Sequence, residues 1–135
     1  MDEYKLNGFY KFVQAPSGIG KLEGSILLKD DGSFEGRIYD HAHRSPEQFL
    51  KGYLLPQDDS MIWYFLKMNN LGNAANIAYR MHKKGLGVEG TYRGEWHASP
   101  YKLQYYDENS GLFLVSVDDS VSSFKDSAEL VLKKK

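Results

Sequence analysis

The chain has 135 residues, contains no cysteine and carries a net charge of −1, with acidic and basic residues interspersed. This length fits a single domain over residues 1–135. The lack of cysteine excludes disulfides and thiolate metal sites and, with a polar start that lacks a signal-peptide pattern, predicts a cytoplasmic protein. The mixed charge argues against nucleic acid as a partner, and no apolar run approaches the ~20 residues of a membrane helix.

The stretch Val88–Trp96 alternates between two kinds of residue. One parity is polar and comprises Glu89, Thr91, Arg93 and Glu95. The other parity holds apolar, aromatic or glycine residues, namely Val88, Gly90, Tyr92, Gly94 and Trp96. A period of two predicts a β-strand with one buried face. Because glycine weakens a strand, its place on the buried parity indicates a bend or a close approach of backbone or ligand.

The same alternation recurs along the chain and predicts seven strands. They cover Tyr4–Val13, Leu22–Leu28, Phe34–Asp40, Leu50–Leu54, Met61–Met68, Asn76–His82 and Val88–Trp96. Turn residues separate the strands, and Asp30-Asp31-Gly32 is typical of a hairpin in which glycine takes a positive φ. The connections are too short to hold crossover helices, so consecutive strands are expected to pair antiparallel.

Three segments depart from this rhythm. The segment Ser45-Pro46-Glu47-Gln48 has the capping serine, first-turn proline and closing glutamine of a helix start, so one helical turn at most is expected there. The turn residues within 97–110 predict a long loop, with a short strand at 103–106. The apolar run at 112–117 predicts a further strand. Residues 128–132 fit either a last strand or a helical turn.

Glycine recurs on the apolar parity of the predicted strands, at Gly8, Gly24, Gly36, Gly52, Gly90 and Gly94. On the concave side of a closing sheet, missing side chains let the sheet curl. Strands that pair in sequence order form an up-and-down meander, and a meander of this length removes its exposed edges by closing. The predicted fold is therefore all-β, a single antiparallel meander closed into a barrel of roughly eight strands.

Five short segments resemble the strands of avidin-like and lipocalin-like barrels, which share the calycin type of fold. They are Gly8-Phe9-Tyr10, Gly32-Ser33-Phe34-Glu35-Gly36, Leu50-Lys51-Gly52-Tyr53, Ile62-Trp63-Tyr64-Phe65 and Val88-Glu89-Gly90-Thr91-Tyr92. The resemblance spans roughly residues 6–96. The chain lacks the serine- and threonine-rich biotin pocket of avidins, and it has Tyr10 where strand one of typical lipocalins has tryptophan. The resemblance therefore implies the fold rather than biotin binding.

Aromatic residues on the apolar parity are the main candidates for a ligand site, namely Tyr10, Tyr64, Tyr79, Tyr92 and Trp96. A buried tyrosine hydroxyl needs a hydrogen-bond partner, and several of them around glycine-made space resemble a ligand cage. The alternative is that they fill the barrel, because eight strands enclose room for side chains or for one small ligand. The first function hypothesis is a non-catalytic barrel that binds a small, largely apolar ligand in its interior.

Three histidines follow strand ends that a meander brings to one rim, namely His41, His43 and His97. His41 and His43 are two residues apart, which is the spacing of paired metal ligands on a strand. With Asp40 nearby they suffice for zinc or iron, so the second hypothesis is a metal- or haem-binding protein or an enzyme that uses this rim. The alternative is that they are unrelated, solvated loop histidines, and no other catalytic constellation is present in the sequence.

The predicted fifth strand is apolar on both parities, although a barrel strand needs a polar outer face. The side chains predicted to lie outside, with those of the preceding strand, are Tyr53, Leu55, Met61, Trp63 and Phe65. An apolar patch of this kind predicts a homodimer across a two-fold axis, anchored by Trp63. The alternative is that loop 97–110 covers the patch within one chain. The third function hypothesis is a barrel with a filled core that serves protein interaction.

Overall fold

The computed structural model describes residues 1–12, 18–42, 47–69, 76–107, 112–116 and 124–135. Every regular element within these ranges is a β-strand. The strands are β1 (Asp2–Phe12), β2 (Gly18–Leu28), β3 (Ser33–Asp40), β4 (Glu47–Gln57), β5 (Ser60–Asn69), β6 (Asn76–Lys84), β7 (Gly90–Asp107), β8 (Leu112–Ser116) and β9 (Phe124–Lys134). None of the described residues belongs to a helix with the length and apolarity needed to cross a membrane.

Eight of these strands form a closed antiparallel barrel. Strands β1 to β7 pair in sequence order, and β9 closes the ring by pairing with both β7 and β1. Within the described residues, β8 pairs with the part of β7 that extends beyond the barrel, Lys102–Asp107, while β9 pairs with Gly90–Ala98. The predicted all-β meander closed into about eight strands is confirmed.

The seven strands predicted from alternation are present, and two local predictions are wrong. Glu47 and Gln48 belong to β4 instead of a helical turn, because both pair with residues of β3 and this ladder outweighs the local capping pattern. Ser45 and Pro46 lie outside the described residues. The loop expected after Trp96 is wrong for residues 97–102, which continue β7, whereas the short strand predicted at 103–106 lies within β7 and pairs with β8, the strand predicted at 112–117. Residues 128–132, for which two structures were open, lie in β9.

The connection between β4 and β5 decides which side of β5 faces the interior. Asp58 and Asp59 form a two-residue turn, and Asp58 adopts the positive φ of 57° that such hairpin turns use. This turn places Trp63 directly opposite Leu54. Directly opposed residues of an antiparallel pair project from the same face, so Trp63 shares the interior with Leu54.

The sidedness predicted for this strand is therefore wrong. Met61, Trp63 and Phe65 are buried, with 5%, 0% and 1% of their surface exposed, whereas Tyr64 lies outside with 42% exposed. The physical reason is that both parities of β5 are apolar, so alternation alone does not identify the inner one. The predicted outer patch loses three side chains as a result, and the predicted cage loses Tyr64.

Inward glycines let neighbouring strands approach closely, which confirms the interpretation of the glycine pattern. A Cβ at Gly52 would collide with the carbonyl oxygen of Tyr64, and a Cβ at Gly94 would collide with the backbone of β6. Gly52 also lies between two large side chains, Phe34 of β3 and Phe65 of β5. These side chains therefore cover the position of Gly52 from both sides.

The interior contains an apolar core and a row of aromatic rings. We call the end of the barrel with connections 29–32, 58–59 and 85–89 the hairpin end. Inward residues toward this end are apolar or aromatic and include Tyr4, Leu6, Ile26, Phe34, Leu54, Met61, Trp63, Met81, Tyr92 and Leu132. A row of ring contacts, here called the aromatic column, joins Tyr92, Trp63, Phe65 and Tyr79 at successive centroid distances of 5.2, 4.9 and 4.7 Å. The column runs through the interior toward the opposite end.

Candidate functional site

The interior at the end opposite the hairpin end contains charged and polar side chains. Strands β1, β3, β5 and β7 run toward this end, and β4 begins there. The inward side chains that these strands contribute are Tyr10, Asp40, Gln48, Lys67 and Trp96. We call this region the polar end. It holds all the polar or charged residues recorded as buried in the described part of the chain, which are Asp40, Gln48 and Lys67.

Asp40 and Lys67 form an ion pair inside the barrel. The Lys67 Nζ lies 2.8 Å from Asp40 Oδ2, and neither side chain has exposed surface. Because β4 lies between β3 and β5, the lysine side chain reaches across one strand to its partner. Burying an ionised group without a partner costs several kcal/mol, so each of these residues depends on the other.

Tyr10 contacts the same carboxylate from the opposite side. Its hydroxyl donates to Asp40 and lies 3.1 Å from Oδ1 and 3.0 Å from Oδ2. The residue paired with Tyr10 on β2 is Gly20, where a Cβ would overlap the tyrosine ring, so the glycine lets the ring cross toward β3. The backbone N–H of Ala42 also donates to Asp40 Oδ1 at 2.9 Å. Asp40 therefore accepts from a lysine, a tyrosine and the backbone.

Aromatic side chains enclose the ion pair. The Lys67 Nζ lies 4.7 Å from the ring centroid of Tyr10 and 5.6 Å from that of Tyr79, distances at which cation–π attraction acts. Trp96 meets Tyr10 edge to face with centroids 5.9 Å apart. The Trp96 Nε1 donates to the carbonyl oxygen of Lys11 at 2.6 Å, which fixes the orientation of the indole.

Burial changes how the groups at the polar end hold protons. Loss of hydration lowers the pKa of Lys67, and the charge of Asp40 offsets this only in part. Burial, followed by the charge of Asp40 and the hydrogen bond to it, raises the pKa of Tyr10. Burial, followed by the charges of Tyr10 and Asp40, raises the pKa of Tyr79 well above its ordinary value. At neutral pH both tyrosines therefore keep their protons, while Lys67 releases its proton more readily than a solvated lysine.

Two polar atoms beside the ion pair have no hydrogen-bond partner among the residues that the structure describes. They are the side-chain oxygen of Gln48 and the hydroxyl of Tyr79. In the sheet register, Gln48 is the diagonal neighbour of both Asp40 and Lys67. An unsatisfied buried polar atom costs about 1–3 kcal/mol, and such atoms usually indicate a bound water, an ion or a functional role.

The polar end thus offers several kinds of contact to a small molecule. The Gln48 oxygen accepts a hydrogen bond, and the Tyr79 hydroxyl donates or accepts one. The rings of Tyr10 and Trp96 offer apolar faces and edges. A few placed polar groups among aromatic walls are the usual composition of a small-molecule site.

The structure brings together three of the five aromatic residues predicted to bind a ligand. Tyr10, Tyr79 and Trp96 lie around the ion pair. Tyr92 faces the interior closer to the hairpin end, where its hydroxyl donates to a carbonyl oxygen of the β6–β7 connection at 2.7 Å. Tyr64 lies on the outer face. The part these residues play in binding stays a prediction.

The histidines predicted to share a rim are not brought together. The Nε2 of His41 lies 3.6 Å from Glu23 Oε2, and the Nε2 of His97 lies 3.3 Å from Glu95 Oε1. His41 follows β3 and His97 is on β7, which are four strands apart in either direction around the ring and thus on opposite sides. His43 lies outside the described residues. Across the described ranges, no group of three histidine or carboxylate residues is placed to hold a metal ion.

The outer surface that was predicted to form a dimer contact lacks most of the residues assigned to it. Of the four residues chosen, Tyr53 alone has outward parity, and it is 6% exposed. Leu66 and Ala78 also lie on outward positions of β5 and β6, and they are buried as well. This part of the outer face is therefore shielded from solvent within one chain. Dimer formation stays a prediction, but Met61, Trp63 and Phe65 would not take part in the contact because they lie in the interior.

Two grooves of about 580 Å3 each lie on the outer face of the barrel. One passes Arg37, Phe49 and Lys51, and the other passes Tyr64 and Arg80. The charged side chains of Arg37, Lys51 and Arg80 are exposed, so water already solvates them. The polar end differs because its charges are buried, and we therefore treat it as the candidate site.

The sequence predictions missed Lys67 and Gln48 and assigned Asp40 only to a metal rim. Asp40 shares its parity with Phe34 and Ile38, so the available signal was a charged residue on a buried face. Lys67 gives the same signal once the inner side of β5 is known. Gln48 gave no such signal, because its segment fitted a helix start.

Comparisons with protein-family models, with curated proteins and with solved structures found no match for this chain. The interpretation of the polar end therefore depends on its own geometry and chemistry.

Proposed function

We propose that this protein is a non-catalytic barrel that binds a small, largely apolar molecule in its interior, with the polar group of the ligand at the polar end. The observation that carries the proposal is a pair of buried atoms, Gln48 Oε1 and the Tyr79 hydroxyl, which have no hydrogen-bond partner in the described part of the chain and lie beside a buried ion pair. A ligand that bonds to both atoms would satisfy groups that the described residues leave unsatisfied. A closed eight-stranded barrel of the avidin-like, lipocalin-like or broader calycin kind is wide enough for one small ligand.

The side chains of the polar end favour an aromatic ligand that carries a hydroxyl group. A hydroxyl donates to Gln48 Oε1 and accepts from Tyr79, so it complements both atoms. An aromatic body packs against Tyr10 and Trp96 in the edge-to-face arrangement that those two rings already use. A charged ligand is disfavoured, because the ion pair is neutral as a whole and a further buried charge would lack a partner.

A calorimetric titration with 4-hydroxybenzyl alcohol tests this proposal. We expect a Kd on the order of 0.1–1 mM, which is reasonable for a ligand with so few atoms. Gln48→Met should weaken binding by about tenfold or more, equivalent to about 1.4 kcal/mol, because one hydrogen bond is lost. Tyr64→Phe is the control, since Tyr64 lies on the outer face, and its Kd should be unchanged. Absence of binding at several millimolar would contradict the proposal.

The stability of the same variant separates a binding role from a structural role. Gln48→Met replaces a buried polar atom that has no partner among the described residues, so urea denaturation should show equal or higher stability. A loss of about 2 kcal/mol or more would mean that the amide is bonded within the folded protein and serves the fold.

A barrel with a filled interior that acts in protein interaction is the second candidate function. It is favoured by the close ring contacts of the aromatic column and by the shielding of Leu66 and Ala78 on the outer face. In that case the Asp40–Lys67 pair would serve only to specify the packing of the strands. The titration separates the two candidates, because the second one predicts no binding of the probe.

A further inference from the structure

Lys67 is a buried primary amine in contact with an acid–base group. Among the described residues it is the one lysine recorded as buried. Its Nζ lies 2.8 Å from the Asp40 carboxylate, and the Tyr10 hydroxyl donates to the same carboxylate. Ligand binding as proposed above does not use this amine. A desolvated lysine next to a proton carrier is the usual arrangement for imine formation with carbonyl compounds.

We propose that the natural ligand of the polar end is an aldehyde or a ketone, which Lys67 holds as an imine. This inference rests on the proposed function, because it names the chemical class of the ligand that the same site binds. The bound carbonyl carbon lies at the amine, and the hydroxyl and aromatic parts of the ligand contact Gln48, Tyr79 and Trp96.

The reaction balances with the groups that the site contains. The Lys67 ammonium passes a proton to Asp40, and the neutral amine attacks the carbonyl carbon, forming a C–N bond while the carbonyl oxygen takes that proton. The nitrogen then returns a proton to Asp40, which protonates the new hydroxyl so that it leaves as water. The nitrogen lone pair forms the C=N bond, and the product is a protonated imine beside the Asp40 carboxylate. No oxidant or reductant is needed.

The charge balance of the site favours a carbonyl over other electrophiles. A protonated imine carries the same positive charge on the same nitrogen, so Asp40 keeps its counter-ion and its hydrogen bond from Tyr10. Acylation would neutralise the nitrogen and leave the carboxylate buried without an opposite charge. The lowered pKa of Lys67 acts in the same direction, because it raises the share of neutral, nucleophilic amine.

Reductive trapping of the imine tests the inference. The folded protein is incubated near neutral pH with 4-hydroxybenzaldehyde and sodium cyanoborohydride, and peptide mapping then locates the hydroxybenzyl groups. We expect Lys67 to be labelled at least about tenfold more than the average exposed lysine, because a bound aldehyde is held beside a single amine. An excess of 4-hydroxybenzyl alcohol should reduce the labelling of Lys67 and leave that of exposed lysines unchanged.

Lys67→Arg keeps the positive charge and removes the nucleophile, so the labelling specific to the interior should be lost. If this variant does not fold, mapping of the unaltered chain still decides the question. Labelling of exposed lysines such as Lys84 and Lys133 with Lys67 unmodified would overturn the imine. If the alcohol nevertheless binds in calorimetry, the proposed function stands and the carbonyl class is wrong. If neither compound binds, both proposals are wrong.

Discussion

The hairpin end and the polar end of the barrel interior are packed with different chemistry. Toward the hairpin end the inward side chains are apolar or aromatic, and the Tyr92 hydroxyl is bonded to the backbone. The polar end holds an ion pair together with polar atoms that lack a partner among the described residues, including Asp126 Oδ2 on β9. The Trp63 Nε1 is an exception within the apolar core, since it also lacks such a partner, and nothing in the structure explains it.

This difference separates the residues that stabilise the fold from those that are available for binding. Burying apolar surface stabilises the fold by about 25 cal/mol per Å2, whereas a buried ion pair contributes little net stability. A functional role is expected for residues that are held in a fixed arrangement in the interior but contribute little to stability. We therefore expect substitutions at the hairpin end to lower stability, and selected substitutions at the polar end to change binding without doing so.

Trp63→Ala should give the largest loss of stability. Trp63 is completely buried in the apolar core, and removing an indole there should cost about 3–5 kcal/mol through lost burial and the remaining cavity. Tyr64→Ala is the matched control on the other face of the same strand and should cost less than about 1 kcal/mol. Urea denaturation measures both changes. Equal losses at the two positions would contradict the observed sidedness of β5.

Asp40→Asn should lower stability by about 3 kcal/mol at neutral pH, because Lys67 would be buried without an opposite charge. The double variant Asp40→Leu/Lys67→Met should lose less than this single variant, since it buries no unpaired charge. A double variant that is less stable than the single one would mean that the ion pair is a net source of stability.

The loss in Asp40→Asn should also shrink as pH rises. Burial lowers the pKa of folded Lys67, so between that value and the ordinary 10.5 the unfolded chain holds more protons than the folded one. Stability rises with pH under that condition. Urea denaturation from neutral pH to about pH 10 measures this slope, and a flat profile would show that Lys67 stays protonated in the variant.

Gly52→Ala tests whether the close approach of β4 to β5 is needed for the barrel, which encloses both ends of the interior. Its Cβ would meet the backbone of β5, so we expect a loss of about 1–3 kcal/mol from overpacking. Gly85→Ala is the control, because nothing lies within 4 Å of its Cβ and only its positive φ of 85° opposes the change. A cost of about 1 kcal/mol is expected there. Thermal denaturation of both variants should show the larger effect at Gly52.

A pair of tyrosine substitutions should give the sharpest contrast within the polar end, and one of them, Tyr79→Phe, should have the smallest effect of all. Tyr10→Phe removes a hydrogen bond to a carboxylate and should cost about 1.5–3 kcal/mol. Tyr79→Phe removes a hydroxyl that has no partner among the described residues, so its cost should stay below about 0.5 kcal/mol. Urea denaturation in the absence of any added ligand makes the comparison. A large loss for Tyr79→Phe would show that its hydroxyl serves the fold.

Alternation and glycine placement were enough to predict the barrel, because every second residue of a half-buried strand faces the core and is therefore usually apolar or glycine. The prediction failed at β5, where both faces are apolar. Counting residues through the Asp58-Asp59 turn would have placed Trp63 opposite Leu54 and identified the inner side. The helical turn predicted to include Glu47 and Gln48 was wrong because a local capping pattern carries no information on pairing between strands.

The candidate site was predicted only in part. Tyr10, Tyr79 and Trp96 were found because aromatic residues on a buried parity are visible in one strand at a time. The contact between Asp40 and Lys67 depends on three strands and on the register between them, which no single segment determines. Interpreting Asp40, which lies on the inner parity of β3, as a buried residue would have been the first step toward predicting the ion pair.

The position of the bound ligand is the most direct test of the difference between the two ends. The chain has two tryptophans, with Trp63 in the apolar core and Trp96 at the polar end. Trp63→Phe leaves Trp96 as the sole indole fluorophore, and Trp96→Phe leaves Trp63. In titrations with 4-hydroxybenzyl alcohol, we predict a saturable change of emission in the variant that keeps Trp96 and none in the variant that keeps Trp63. A saturable change confined to Trp63, or none in either variant, would contradict a ligand site at the polar end.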